Sequence, residues 1–234
     1  IIFGIIKRHF LNHLNMASQK FGFLTVDPVS GSGDQVVNFS GEKHTGRLRR
    51  TINLAVTTNG GAKKALVVNQ AAAAEAVRSD SPNASVQKTG GNVTITGKSN
   101  STRLTFSVTP AEENGLTLQL PANYTAAGKT TANGAIIADD PGAAGEFVWS
   151  ITISDVPVNV TIEELTATLK VTAAGGQTAN VTVTQAMGDS TIELDKEVIN
   201  LDVNGAQQTV NVTSNDSWTW AQAAARTVSR MMGR

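Results

Sequence analysis

Two pairs of aromatic residues are the side chains of this chain best suited to bind a ligand. Phe147 with Trp149, and Trp218 with Trp220, are each two positions apart, and such residues share one face of a β-strand. Exposed aromatic rings can stack on sugars, and Tyr124 could join them. The candidate glycan or partner contacts are therefore Tyr124, Trp149, Trp218 and Trp220. A tryptophan on a sandwich strand is more often a core residue, which is the favoured interpretation of Trp149 and Trp218.

Residues suited to catalysis or metal binding are few. The chain has no cysteine and three histidines, so it lacks thiol nucleophiles and thiolate metal sites, and no GxSxG elbow accompanies a histidine. Adjacent residues on a strand face opposite ways, so the paired acids predict solvated surface; they are Glu112-Glu113, Asp139-Asp140 and Glu163-Glu164. The segment DDPGAAGE at 139–146 lacks the alternating spacing of a calcium loop. We predict no enzymatic activity, no cofactor and no metal.

The charged residues are divided unevenly along a chain with zero formal net charge. Residues 1–138 carry 14 basic and 7 acidic residues, whereas residues 139–216 carry 2 basic and 12 acidic ones. A chain with this polarity could dock head to tail with copies of itself or orient on a charged scaffold. Scattered charge on a solvated surface is an equally good interpretation.

Two basic groups are candidates for partner binding. The first, near the middle of the basic part, comprises Arg47, Arg49, Arg50, Lys63 and Lys64. It lacks interleaved aromatic residues, so we predict no nucleic-acid partner. The second recurs every four residues in the alanine-rich end of the chain and comprises Arg226, Arg230 and Arg234. On a helix these three arginines would line one face, as a basic anchor for an acidic partner or as a solvated tail.

The composition predicts the elements that must position these residues. Threonine, with 28 residues, is in excess, and valine and glycine are plentiful beside it. These residues favour strands and turns, so the chain is predicted to be all-β. No apolar run approaches the roughly 18 residues that a membrane helix needs, and no membrane span is expected.

A repeat at an offset of 115 residues organises the chain. The segment LAVTTNGGAKKALVVNQA at 54–71 aligns without a gap with LKVTAAGGQTANVTVTQA at 169–186. Each copy has the pattern of a strand, a glycine-bearing hairpin and a second strand. The sequences after each copy, 90–106 and 204–220, also share a glycine, an alternating strand and a Ser-Asn turn. Copies at this separation predict tandem domains, the middle one complete and the outer two partial.

Further strands are expected in the middle copy, and many short strands at this spacing indicate a β-sandwich. They are Arg103–Thr109, Leu116–Leu120, Phe147–Ile153, Val158–Ile162 and Leu165–Val171. The stretch 121–145, rich in small residues, is predicted to be a long loop.

The two flanking segments carry the motifs of a known family. Residues 190–220 contain a strand, a glycine, an alternating strand that ends in Ser-Asn, and a tryptophan; the residues concerned are Leu201, Gly205, Val210, Val212, Asn215 and Trp218. Residues 23–70 contain a proline- and glycine-bearing turn, an arginine before a strand, and a final glutamine; the residues concerned are Leu24, Pro28, Gly31, Gly33, Arg50, Ile52 and Gln70. The first set resembles the opening, with its "tVtVtSN-sW" strand, and the second is similar to the closing half of BACON domains, the immunoglobulin-like modules of Bacteroidota and their crAss-like phages. Phe23 stands where the family has tryptophan. The resemblance implies tandem immunoglobulin-like β-sandwich domains with partial flanking repeats.

These observations predict the following organisation. Residues 1–16 are an N-terminal arm or read-through, with an amphipathic docking helix as the alternative. They are followed by a BACON-like back half-domain (17–72), a linker (73–81), a complete immunoglobulin-like sandwich (82–187), a front half-domain (188–220) and a basic tail (221–234). The two half-domains could complete each other, within one chain or between copies.

The expected function is that of a structural or interaction protein, in first place a phage virion decoration component of the auxiliary capsid or head-fibre type. It would assemble in the bacterial cytoplasm and have protein partners, either copies of itself or a particle scaffold. The alternative is a carbohydrate- or mucin-binding adhesion module at the bacterial cell surface or secreted.

Overall fold

The computed structural model describes residues 17–222, which form sixteen β-strands and one three-residue 3-10 helix at Pro141–Ala143. The prediction of an all-β protein is confirmed. Five strands belong to the N-terminal segment, 17–72: β1 (Gln19–Phe21), β2 (Leu24–Asp27), β3 (Asn38–Gly41), β4 (Arg50–Thr57) and β5 (Lys63–Gln70). They form a three-stranded sheet in the order β1-β2-β3 and a separate β4-β5 hairpin.

A two-layer sandwich occupies the middle of the chain. Its strands are β6 (Val77–Ser79), β7 (Asn83–Val86), β8 (Gly91–Ser99), β9 (Leu104–Pro110), β10 (Asn123–Ala126), β11 (Lys129–Ala132), β12 (Phe147–Val156), β13 (Leu165–Ala173) and β14 (Thr178–Gln185). One sheet has the order β11-β10-β12-β8-β6 and the other the order β7-β14-β13-β9. Neighbouring strands are antiparallel except β7, which lies parallel to β14.

The core lies between these two sheets. Along β8 and β12 alternate residues are buried, because successive side chains of a strand point to opposite faces. From β12 the buried residues include Trp149, Ile151 and Ile153, which face Leu169 and Val171 of the other sheet in one hydrophobic cluster.

The C-terminal segment, 188–222, has two short strands, β15 (Ile192–Leu194) and β16 (Val212–Ser214), that pair with each other in a two-stranded sheet. Between them, residues 195–211 form no strand.

Three details of the sequence prediction are corrected. The predicted linker 73–81 contains β6, which pairs with β8, so the sandwich begins at Val77. The predicted loop 121–145 contains β10 and β11. Two predicted strands, 116–120 and 158–162, are not strands. Leu116 and Leu118 are buried all the same, and 158–162 is drawn into turns by hydrogen bonds of the Asn159 side chain.

The 115-residue repeat is reproduced in strand pairing. In the β4-β5 hairpin Arg50 faces Gln70 and Thr57 faces Lys63. In β13-β14, Leu165 faces Gln185 and Thr172 faces Thr178, which is the same register displaced by 115 residues. The pairing of β6 with β8, from Val77 opposite Ser99 to Ser79 opposite Gly97, recurs in the pairing of β15 with β16 at the same displacement. The two flanking segments therefore repeat different parts of the sandwich.

The flanking segments contact opposite ends of the sandwich. The N-terminal segment forms hydrogen bonds with Asn100 and Gly142, next to the Ser99 end of β8. The C-terminal segment is bonded to Lys88, Val160 and Thr161, next to the Gly91 end, where Gly90 lies against Pro157. At about 3.3 Å per residue, the nine residues of β8 separate these ends by about 26 Å.

Candidate functional site

The N-terminal junction is organised by one buried asparagine. Asn100 is 1% exposed, and its Oδ1 accepts a hydrogen bond from the Ala76 N–H at 2.7 Å. Its Nδ2 donates to the carbonyl oxygens of Thr45 at 2.8 Å and Ala74 at 2.9 Å. The Ala73 N–H donates to the Gly46 oxygen at 2.8 Å. One side chain thus joins the sandwich, its incoming strand and the N-terminal segment.

The C-terminal junction has the same bonds 115 residues further along. The Asn215 Oδ1 accepts from the Thr191 N–H at 2.8 Å, and its Nδ2 donates to the oxygens of Val160 and Asp189, both at 2.9 Å. The Gly188 N–H donates to the Thr161 oxygen at 2.7 Å. Each partner is the counterpart of one at the first junction, so the two junctions are built alike.

Each junction also carries an ion pair of its own. At the N-terminal junction, Arg47 pairs with Asp140, and its Nε donates to the backbone carbonyl oxygen of Asn100. At the C-terminal one, Lys88 pairs with Asp189. Arg47 is therefore engaged within the chain, as is Arg50, which bonds Gln70 and lies over the Phe23 ring at 4.3 Å. Two members of the predicted basic patch thus serve internal contacts.

The backbones approach so closely at the N-terminal junction that glycine is needed there. A Cβ on Gly142 would lie 2.0 Å from the backbone carbonyl oxygen of Asn100. We expect Gly142→Ala to lower the free energy of unfolding by about 1–3 kcal/mol, since overpacking forces backbone shifts. Urea unfolding measures this, and hydrogen exchange of the Arg47 N–H, which donates to the Gly142 oxygen, locates it. The control is Gly60→Ala, whose Cβ meets nothing within 4 Å; equal effects of the two substitutions would contradict the prediction.

The sequence interpretation missed both asparagines as functional residues. It assigned the Ser-Asn pairs at 99–100 and 214–215 to turns, and Asn215 also to the resemblance with the BACON opening. Their recurrence at the full 115-residue offset was the available signal.

Two of the four aromatic candidates lie in the core. Trp149 is 0% exposed and Tyr124 is 3% exposed. Both rings pack against Phe106, with centroid distances of 5.5 Å for Trp149 and 4.8 Å for Tyr124. The core interpretation of Trp149 is confirmed, and the prediction that Tyr124 and Trp149 contact a ligand is corrected, because the second sheet covers both rings.

Burial also changes the titration of Tyr124, the single tyrosine of the chain. Desolvation raises its pKa above the ordinary value of 10.0, and the Leu104 backbone acts more weakly in the opposite direction. The pKa of Tyr124 is higher in the folded chain than in the unfolded chain. The contribution of Tyr124 to the free energy of unfolding therefore keeps its full value below pH 10 and falls as the pH rises through the folded-state pKa.

We therefore expect tyrosinate absorbance of the folded chain to appear at a higher pH than in the urea-unfolded chain, which is the control. Coincident titration curves would contradict this prediction.

Trp218 and Trp220 lie at the surface, 45% and 68% exposed. Their rings meet edge to face with centroids 5.9 Å apart. They line an open cleft of about 560 Å³ together with Ile192, Leu194 and Val212, and with the acidic residues Glu193 and Glu197. The core interpretation of Trp218 does not hold in the single chain, and this pair remains the candidate contact for a ligand.

The remaining candidates are placed as follows. Arg226, Arg230 and Arg234, the predicted basic anchor, lie outside the described residues. In the DDPGAAGE segment, Asp139 pairs with Lys129 and Asp140 with Arg47. Within residues 17–222, no group of three or more histidine, aspartate or glutamate side chains is placed to hold a metal ion.

No helix within the described range is long and apolar enough to cross a membrane. Comparison with known proteins found no protein-family model that matches the chain and no curated protein that matches its sequence.

Proposed function

We propose that the chain is a non-enzymatic structural protein made of successive immunoglobulin-like, BACON-like modules held in a fixed relative orientation. In this proposal residues 17–72 are the back part of one module, the sandwich is the next, and residues 188–222 begin a third. The observation that carries it is the junction that occurs twice, with Asn100 and Asn215 making the same three bonds.

A hydrogen-bonded junction suits a load-carrying connection between modules better than a flexible one. A free linker lets neighbouring domains move, which is the usual case when an interface is small. Here the connecting residues 73–76 are bonded on both sides through Asn100, and an ion pair adds to the contact. A series of such modules would act as a spacer of defined length and direction.

The setting we propose is a phage particle, in which the chain is an auxiliary capsid or head-fibre component. The resemblance to modules of Bacteroidota phages and the separation of basic and acidic parts along the chain support this setting. Immunogold labelling with antibodies to the purified chain tests it in a culture that produces the phage carrying the gene. Label on particles supports the proposal, whereas label confined to the cell envelope contradicts it.

A carbohydrate-binding surface module is the second candidate, favoured by the exposed Trp218–Trp220 pair in its cleft. A glycan array with the chain and its Trp220→Ala variant tests this function. Binding that is lost in the variant supports sugar recognition, and absence of binding by the unsubstituted chain leaves the structural role. Phe39→Ala is a matched control, since Phe39 is also exposed but belongs to the N-terminal segment.

A further inference from the structure

Both flanking segments expose apolar residues whose counterparts in the sandwich are buried. Val56 is 66% exposed, whereas Val171, its counterpart 115 residues later, is 0% exposed. Leu201 is 62% exposed, whereas its counterpart Val86 is 4% exposed. In the sandwich these two counterparts belong to one hydrophobic cluster. The apolar faces of the two flanking segments therefore correspond to the two sides of the sandwich core, and within residues 17–222 they do not cover each other.

A strand edge is also left without its neighbour. In the sandwich, β7 lies parallel to β14 with Asn83 beside Thr182 and Val86 beside Gln185. The counterpart of β14 is β5, which within residues 17–222 pairs with β4 alone. The counterpart of β7 is the segment 198–201, which belongs to no strand. An unpaired edge of this kind accepts a strand from another chain.

At the same place, one hydrogen bond of the sandwich has no equivalent among the described residues 17–222. The Gln185 Nε2 donates to the oxygens of Pro157 at 2.7 Å and Gln87 at 3.3 Å. Its counterpart Gln70 donates to the Glu42 oxygen at 2.7 Å, which is the equivalent of the first bond. The equivalent of the second would need the backbone oxygen of Asp202.

A single chain cannot bring its own segments 67–70 and 198–201 together, because they are attached at opposite ends of the sandwich. Charge favours their meeting between chains. Residues 17–72 carry seven basic and three acidic residues, a net charge of +4, and residues 188–220 carry one basic and six acidic residues, a net charge of −5. Opposite charges on two faces steer association and suppress contact between like faces.

We propose that a second copy of the chain is the partner of these faces, and that copies join head to tail. Val198–Leu201 of one copy adds as a parallel strand to β5 of the next, Val198 beside Val67 and Leu201 beside Gln70. The Gln70 Nε2 of one copy then reaches the Asp202 oxygen of the other. The contact is heterologous, so it propagates into a chain of copies or a ring. This inference rests on the proposed structural role and names the partner.

Cysteine cross-linking tests the register directly, because the native chain has no cysteine. In the variant Val67→Cys/Val198→Cys the two positions lie on neighbouring strands of different copies, about 4.8 Å apart, within reach of a disulfide. We expect mild oxidation to give a ladder of covalent oligomers, with 67–198 linked peptides in mass spectrometry. The control is Val67→Cys/Val203→Cys, since Val203 is 98% exposed but lies out of register. No ladder, or the same ladder in the control, would overturn the proposal.

Two blocked variants test the polarity of assembly by sedimentation velocity. Val56→Asp places a charge on the apolar face of the N-terminal segment, and Leu201→Asp places one on the apolar face of the C-terminal segment. Both positions are exposed in the single chain, so neither substitution should unfold it. We expect each variant alone to associate at least tenfold more weakly than the native chain, and an equimolar mixture to form dimers that grow no further. Dimers of one variant alone would indicate a symmetric contact and overturn the proposal. A native chain that stays monomeric at all concentrations, as when its own residues beyond 17–222 cover these faces, also overturns it.

The outcomes separate this inference from the proposed function. Cross-linking uses the purified chain in buffer and needs no particle, whereas immunogold labelling needs no self-association. A ladder without labelled particles keeps head-to-tail assembly and removes the phage setting. Labelled particles without a ladder keep the phage setting and remove head-to-tail assembly.

Discussion

Replacing Trp149 by alanine is expected to lower the free energy of unfolding of the sandwich by about 3–5 kcal/mol. The side chain is fully buried and meets the Phe106 ring edge to face. It also lies over Gly97 of the neighbouring strand, where a Cβ would come within 2.3 Å of the indole ring. Removal of the indole leaves a cavity lined by both sheets that the surrounding strands can fill only in part. Urea unfolding followed by circular dichroism measures the loss.

The matched control for this substitution is Val148→Ala. Val148 is the preceding residue on β12 and points to solvent, 53% exposed. We expect this variant to lose less than about 1 kcal/mol, because only the strand preference of valine is removed. If Trp149→Ala were no more destabilising than Val148→Ala, the tryptophan would not be part of the core that holds the two sheets together.

Replacing Asn100 by alanine is expected to lower the free energy of unfolding by about 2–4 kcal/mol. The substitution leaves the N–H of Ala76 and the carbonyl oxygens of Thr45 and Ala74 without the Asn100 side chain, which is itself 1% exposed. The loss should be concentrated at the N-terminal junction. Hydrogen exchange of the Ala76 amide and limited proteolysis between residues 70 and 77 measure it, and both should accelerate.

Two further variants show whether burial sets this cost. Asn215→Ala removes the same three bonds at the C-terminal junction, where the asparagine is only partly buried, so water can replace them and we expect a smaller loss. Asn100→Asp keeps the acceptor for the Ala76 N–H but lacks both donors, and should resemble Asn100→Ala. Native stability and exchange in Asn100→Ala would show that the side chain does not hold the junction.

The hairpins were the most predictable part of the fold. Two strand-forming segments on either side of a glycine-bearing turn specify β4-β5 and β13-β14 locally, and the structure has both in the same register. Gly61 and Gly176 have φ angles of 86° and 88° at the two turns, which glycine adopts without strain. Sequence alone sufficed because both strands and their turn lie within about twenty residues.

The prediction of strands at 116–120 and 158–162 was wrong, because alternation alone does not make a strand. Both stretches alternate apolar and polar residues, but a strand also needs a neighbour with free backbone groups. The Asn159 Nδ2 donates to the oxygens of Glu163 and Ala186, and these bonds hold the second stretch in turns.

Composition, alternation and the 115-residue repeat were enough to determine that this protein is all-β and which residues of each strand share a face. Only the tertiary structure decided which of those faces is covered. Trp149 and Trp220 occupy similar positions in aromatic i, i+2 pairs, yet one is enclosed by a second sheet and the other is open. The physical reason is that a strand's periodicity is a local property, whereas burial depends on segments distant in sequence. Because residues 17–72 and 188–222 contact opposite ends of the sandwich, the faces that would enclose each other are kept apart within one chain.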